Sequence, residues 1–201
     1  MARPRANDFE LKRRSIVDGA AAVFAQQGMD KASMSQIGAR AGVSKALLYH
    51  YFPSKDSLVF AIIREHIVAL EQALADAVDE ALTPAGQLEC FVAVVLDRYR
   101  GAEHAHQVQL NCGAMLGNDQ RNEIRTIERR IVRYFSEVLL RVNPRLEEPG
   151  RPLLMPVTMS LFGMLNWVYT WFRDDGTLTR EDYARLATRL MLDGIGAVDR
   201  S

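Results

Sequence analysis

Apolar residues recur along this chain at three- and four-residue intervals almost from end to end, which is the helical period. One run holds Ile16, Ala20, Val23 and Phe24; another holds Leu58, Ile62, Ile63, Ile67, Leu70, Leu74 and Val78. No segment sustains the apolar–polar alternation of a half-buried strand, and no Asn-Gly or Asp-Gly pair joins two β-branched runs. The pattern predicts an all-α protein of about nine helices.

Capping and breaking residues divide the pattern. A first helix follows Asn7/Asp8 and ends at Gly28. Ser33 with Gln36 is a capping-box pair opening a short helix over about 34–40. Gly42 supplies a turn, Ser44 caps a third helix over about 45–51, Pro53 stops it, and a long fourth helix starts at Ser54. Thr83-Pro84 opens a fifth helix to about Tyr99. A sixth spans about 103–116, closed by Gly117, and Asn118 caps a seventh to about Val142 with Arg121, Arg125, Arg129 and Arg133 on an exposed face. After the loop at 143–152 no charged residue occurs from Pro152 to Phe172, long enough to cross a bilayer. Pro156, Thr158, Ser160, Asn166 and Thr170 interrupt it, so a helix buried on nearly all sides is expected instead. Thr179 with Asp182 caps a last helix over about 180–197.

Charge changes the picture. The net charge of zero argues at first against a polyanionic partner, but residues 1–55 carry nine Lys/Arg against four acids, and residues 56–201 carry the opposite imbalance. Nucleic acid would be drawn to one end only. The expected division is between a basic end at 1–55, suited to nucleic acid, and an acidic body at 56–201. Cys90 and Cys112 lie on apolar helical stretches without metal-like spacing and read as reduced core thiols. The first residues contain no apolar run, so no secretory signal is expected and the location is read as cytoplasmic.

Residues 33–55 are two short helices around a Gly turn, a helix-turn-helix pattern. At about 100° per residue, Leu48, Tyr51 and Phe52 share the underside of the second helix, while Ala46 and His50 face outward, flanked by Leu47 and Tyr49. Lys45, Ala46 and Leu47 are expected to approach the bases, Ala46 by its small size and Leu47 through a thymine methyl. Tyr49, His50 and Lys55 are expected on phosphates, joined by Ser33, Ser35 and Ser44 at the helix starts.

The stretch Ile37-Gly38-Ala39-Arg40-Ala41-Gly42-Val43-Ser44, followed by Leu48-Tyr49-His50-Tyr51-Phe52-Pro53-Ser54-Lys55, resembles the N-terminal domain of TetR-family transcriptional repressors over about residues 10–60. Gly38 stands where Ala is usual, Ala46 where Gly is common, and Tyr51 where His is usual. The resemblance implies a homodimer whose two heads span a palindrome-like operator, a pocket in each C-terminal body, and a dimer face built by the last two helices. Residues 161–186 are also similar to family members that control fatty-acid or aromatic-acid degradation, phenylacetate pathways among them, whose inducers are often acyl- or aryl-CoA thioesters.

For that pocket the expected lining is Phe91, Val95 and Tyr99, with Leu110, Cys112 and Met115, and Met159, Phe162, Gly163 and Asn166: apolar, and suited to an apolar or aromatic effector. Asn166, inside an apolar helix, must find a hydrogen-bond partner in the protein, the second subunit or a ligand. Arg98, Arg100, Arg121 and Arg125 are available to CoA phosphates, though a solvated face explains them more simply. The expected dimer face is Leu161, Leu165, Trp167, Val168, Trp171 and Phe172 with Leu186, Leu190 and Met191. The expected function is thus a regulator, a repressor released by its effector, with no cofactor and no membrane partner. Two alternatives stay open. A metal-responsive regulator would use His104, His106 and Cys112, although positions two apart on a helix point away from each other. An all-α enzyme would need a nucleophile–base set or paired carboxylates, which the chain does not display.

Overall fold

The computed structural model describes residues 3–150 and 152–198. Among these residues there are nine α-helices and no strand: α1 (Arg3–Lys31), α2 (Met34–Ala41), α3 (Lys45–Tyr51), α4 (Lys55–Asp76), α5 (Pro84–Tyr99), α6 (Glu103–Cys112), α7 (Asn118–Val142), α8 (Leu154–Asn166) and α9 (Arg180–Val198). Short 3₁₀ turns follow α6, α7 and α8.

The caps read from sequence hold these elements. Ser33 accepts from the Gln36 amide while the Gln36 side chain accepts from the Ser33 amide. Thr83 accepts from the Gly86 amide, and Thr179 and Asp182 bond reciprocally. Three boundaries differ from expectation. The first helix begins at Arg3 and runs to Lys31, with the backbone leaving helical geometry at Gly28. The sixth ends at Cys112, where Gly113–Met115 tightens into a 3₁₀ turn. The uncharged helix covers only Leu154–Asn166, and the chain continues as a 3₁₀ turn at Val168–Thr170. Thr158 and Ser160 return their hydroxyls to the carbonyls of Leu154 and Pro156, the back-bonding that bends helices. Among the described residues no helix is long and apolar enough to cross a membrane.

The chain forms two compact units, residues 1–68 with 101–125, and residues 69–100 with 126–201. The division therefore does not fall at residue 55. In the first unit α1 packs against both α2 and α6, which draws α6 into the same body as the helix-turn-helix. Its core is Ile16, Ala20, Phe24, Ile37, Leu48, Leu58, Ile62 and Ile63, each at most 2% exposed. In the second unit α5 packs against α9 and α8 around Phe91, Val95, Leu96, Phe135, Leu139, Leu161 and Leu165. The rings of Phe91, Phe135 and Phe162 pack in sequence, the first pair tilted and the second edge to face, 5.6 Å and 4.9 Å between centroids.

A second tie in this unit is Arg180, 7% exposed. It donates twice to Asp174 and once to the Leu96 carbonyl and lies over the Phe172 ring. The guanidinium holds the Asp174 carboxyl below the usual carboxylate range. These bonds fasten the α8–α9 connection to the end of α5.

Candidate functional site

The recognition element is built by three local devices. Gly42 adopts φ +68°, the left-handed conformation that ends α2 at low cost only with glycine, and its amide reaches back to Gly38 and Ala39. Ser44 then caps α3 by accepting from the Leu47 amide. Gly38 lets the turn close over it: a Cβ there would stand 3.0 Å from the Val43 carbonyl oxygen. That contact gives a reason for Gly38 in place of the usual Ala.

Leu48 is fully buried and Phe52 nearly so, with the Arg13 guanidinium 5.6 Å above the Phe52 ring and Arg13 paired to Glu65 of α4. With the underside of α3 fixed, Lys45, Ala46, Tyr49 and His50 are exposed and Leu47 is half-buried. Lys45 Nζ lies 5.9 Å from the Tyr49 ring, so a cation and a phenol share one outer face. Ser35 is exposed on the first turn of α2.

Three expected phosphate contacts are otherwise engaged. The Lys55 ammonium donates to the carbonyls of Met29 and Ala32 at 2.8 and 3.2 Å, filling acceptors left where α1 ends. The Ser33 hydroxyl is committed to Gln36, and that of Ser44 to the Leu47 amide. Sequence reasoning missed Phe9, whose ring stacks on Tyr51 at 4.6 Å between centroids. The two lie 42 positions apart, and no local pattern signals the pairing.

The residues expected to line an effector pocket are not gathered into one unit. Phe91, Val95, Tyr99 and Phe162 are buried in the second unit, and the Tyr99 hydroxyl donates to Asn166 Oδ1 at 2.8 Å. Asn166 thus has a partner inside the protein. Burial pushes the Tyr99 phenol well above its ordinary range, so it stays a neutral donor. Leu110 and Met115 belong to the first unit and are 42% and 47% exposed. Leu110 lies two positions from buried Cys112 on α6 and so points away from it, and the 3₁₀ turn carries Met115 outward. Cys112 and Met115 line a cleft of about 360 Å³ in that unit with Phe24, Met29 and Val108. Met159 is exposed on the outer side of α8.

Of the four cations considered for CoA phosphates, Arg100 is paired with Asp97 and Glu181, and Arg121 donates to the carbonyls of Ala114 and Leu116. Arg98 and Arg125 are exposed.

The expected dimer face splits in two. Leu161, Leu165 and Val168 are buried within their own unit and Met191 nearly so, because they fill the side of α8 and α9 turned toward α5. They cannot also contact a second subunit. Trp167, Trp171, Leu186 and Leu190 are 46–60% exposed, joined by Met155 and Met159. The uncharged helix is therefore buried on one side only, with an outer stripe at Met155, Met159, Gly163 and Trp167.

The metal alternative has no geometric support: His104 is exposed, His106 is buried with its ring 5.6 Å from that of His66, and no group of three or more His, Cys, Asp or Glu able to hold a metal occurs among the described residues.

The sequence profile of bacterial regulatory proteins of the tetR family matches residues 16–62, and that of the tetracyclin repressor-like C-terminal domain matches residues 81–195, more than half of the chain. The HTH-type transcriptional regulator BetI of Brucella anthropi is 31% identical over 130 residues, covering 64% of this chain and 67% of that protein. Matches to other Brucella proteins of that name span just under half of their length. A TetR-family transcriptional regulator from Bordetella parapertussis superposes with TM-score 0.84 at 31% identity, covering 90% of this chain and 94% of that one. AibR, solved in complex with isovaleryl coenzyme A and operator DNA, superposes with TM-score 0.75 at 26% identity over 89% and 97% of the two chains. With a buried-underside recognition helix at one end and the family's C-terminal domain over the other, the chain belongs to the TetR family of transcriptional regulators.

Proposed function

We propose that this protein is a repressor that leaves its operator when a mostly apolar or aromatic effector binds. The observation that carries the DNA half is α3, held by Leu48 and Phe52 so that Lys45, Ala46, Tyr49 and His50 present one outward face. On this reading Lys45, Ala46 and Leu47 meet base edges, and Tyr49, His50 and Ser35 meet backbone phosphates. Trp167, Trp171, Leu186 and Leu190 are the surface on which a second copy docks, since exposed large apolar side chains on two packed helices suit self-association.

The effector class is inferred from the apolar body around Phe91, Val95 and Phe162 and from AibR, whose complex contains an acyl-CoA thioester. Effector binding favours a dimer whose two heads no longer match the half-site spacing. A gel shift with the DNA upstream of the protein's own gene tests the reading. Sequence-specific retention at moderate salt is expected, with release by an acyl-CoA or aryl-CoA thioester found by thermal-shift screening. Absence of any sequence-specific complex at moderate salt would sink it.

A further inference from the structure

We propose that Phe9 is a positioning residue for operator reading: through its stack on Tyr51 it sets the placement of His50 on the DNA-facing side of α3. The proposal rests on the reading of α3 as the recognition helix with His50 at the DNA.

With seven residues, α3 is far too short to hold its own alignment, so its ends must be fixed from outside. Its start is fixed by the Ser44 cap and by the bond from the Val43 amide to the Gly38 carbonyl at 2.9 Å. Its middle is fixed by buried Leu48. Its last residue is Tyr51, and the contacts of that ring run to α1. Phe9 stacks on it at 4.6 Å with the planes inclined by 28°, and the Tyr51 hydroxyl donates to the Phe9 carbonyl at 3.5 Å. The Tyr51 ring also meets His50 edge-on, 5.8 Å between centroids at 84°. Phe9, Tyr51 and His50 thus form a chain of three rings from α1 to the exposed face.

Phe9 is itself 44% exposed, so burial of its ring is only partial. An exposed aromatic stacked on the final residue of a helix of about two turns restrains that residue's side chain more than it fills a core. The imidazole of His50, one position earlier, then has an aromatic wall that limits its rotamers. A restrained contact group loses less freedom on binding than a mobile one.

The test compares two duplexes: one selected by the wild-type protein from a randomised library, and a scrambled duplex of equal length and composition. Phe9→Ala is expected to weaken both duplexes about fivefold, because His50 meets phosphate and a phosphate contact carries no base preference. Phe9→Tyr, which keeps the ring, should restore wild-type affinity; Phe9→Leu, which keeps apolar bulk without a ring, should not. In a His50→Ala background, Phe9→Ala should add less than about twofold, because the two act in series. Thermal melting of every variant, well above the binding temperature, shows that the head is folded in each assay.

Weakening confined to the selected duplex, or a full Phe9→Ala effect in the His50→Ala background, overturns the proposal while leaving α3 as the reading helix. If His50→Ala by itself leaves the selected duplex unaffected, the assignment of His50 fails, and the proposal falls with it by a distinct signature.

Discussion

Two lysines ten residues apart take different tasks, and the difference is measurable. Lys45 is exposed beside Tyr49, while Lys55 donates to the Met29 and Ala32 carbonyls. Lys45→Ala should weaken operator binding, relax the base preference at the position it meets, and leave the melting temperature unchanged. Lys55→Met should do the reverse. Its loss strands two carbonyls at the end of α1, and a charge-assisted bond of this kind contributes about 1.5–3 kcal/mol, so melting falls while the salt slope holds. A salt slope reduced by about one counterion in Lys55→Met would show that Lys55 reaches phosphate. The lysine at 55 was visible in the sequence, but its partners lie 23 and 26 positions away, and nothing local foretells them.

Among the elements, those closed by neighbouring residues were legible in the sequence. Ser33 with Gln36, Thr83 before Pro84, and Thr179 with Asp182 act over three positions, so spacing by itself identifies them. The end of α8 was not legible, because no Gly or Pro marks it. Asn166 is followed by Trp167, and the helix gives way to a 3₁₀ turn within an unbroken apolar run. The apolar body proposed for the effector was legible only in part, because periodicity ranks faces of one helix but does not say which helices pack together. Leu110 and Met115 were drawn in on that account.

The α8–α9 connection offers a pH test at this scale. Arg180 lowers the Asp174 carboxyl, so the pair's stabilisation is fully present above the ordinary carboxylate range and is lost as pH falls through the folded value. Asp174 is half exposed, and solvent screening holds its share to about 1 kcal/mol. Asp174→Asn should therefore lower the melting temperature by a constant few degrees from neutral pH down to about pH 5, with the gap to wild type closing below about pH 4. A gap independent of pH would mean that the carboxylate charge is not the cause.

At the scale of the whole molecule, a basic surplus of five in residues 1–55 offsets an acidic surplus of five in the rest. A neutral chain thus carries a polar gradient that favours DNA at one end. The exposed apolar side chains Met155, Met159, Trp167, Trp171, Leu186 and Leu190 fall instead on α8 and α9 and the connection between them. Leu190→Arg, a charge placed on a side chain that is 57% exposed, should leave the subunit folded and shift it from dimer to monomer in sedimentation, with operator affinity falling along with it. An unchanged dimer would move the docking surface elsewhere.

The outward placement of Lys45 and Ala46 beside half-buried Leu47 has an evolutionary corollary. Three consecutive positions of α3 take little part in the fold, while Leu48 next to them is indispensable to it. The reading head behaves like a lock with a fixed barrel and replaceable pins: a duplicated copy of the gene can acquire a new address on the chromosome by changing those three codons, with no compensating change in the scaffold.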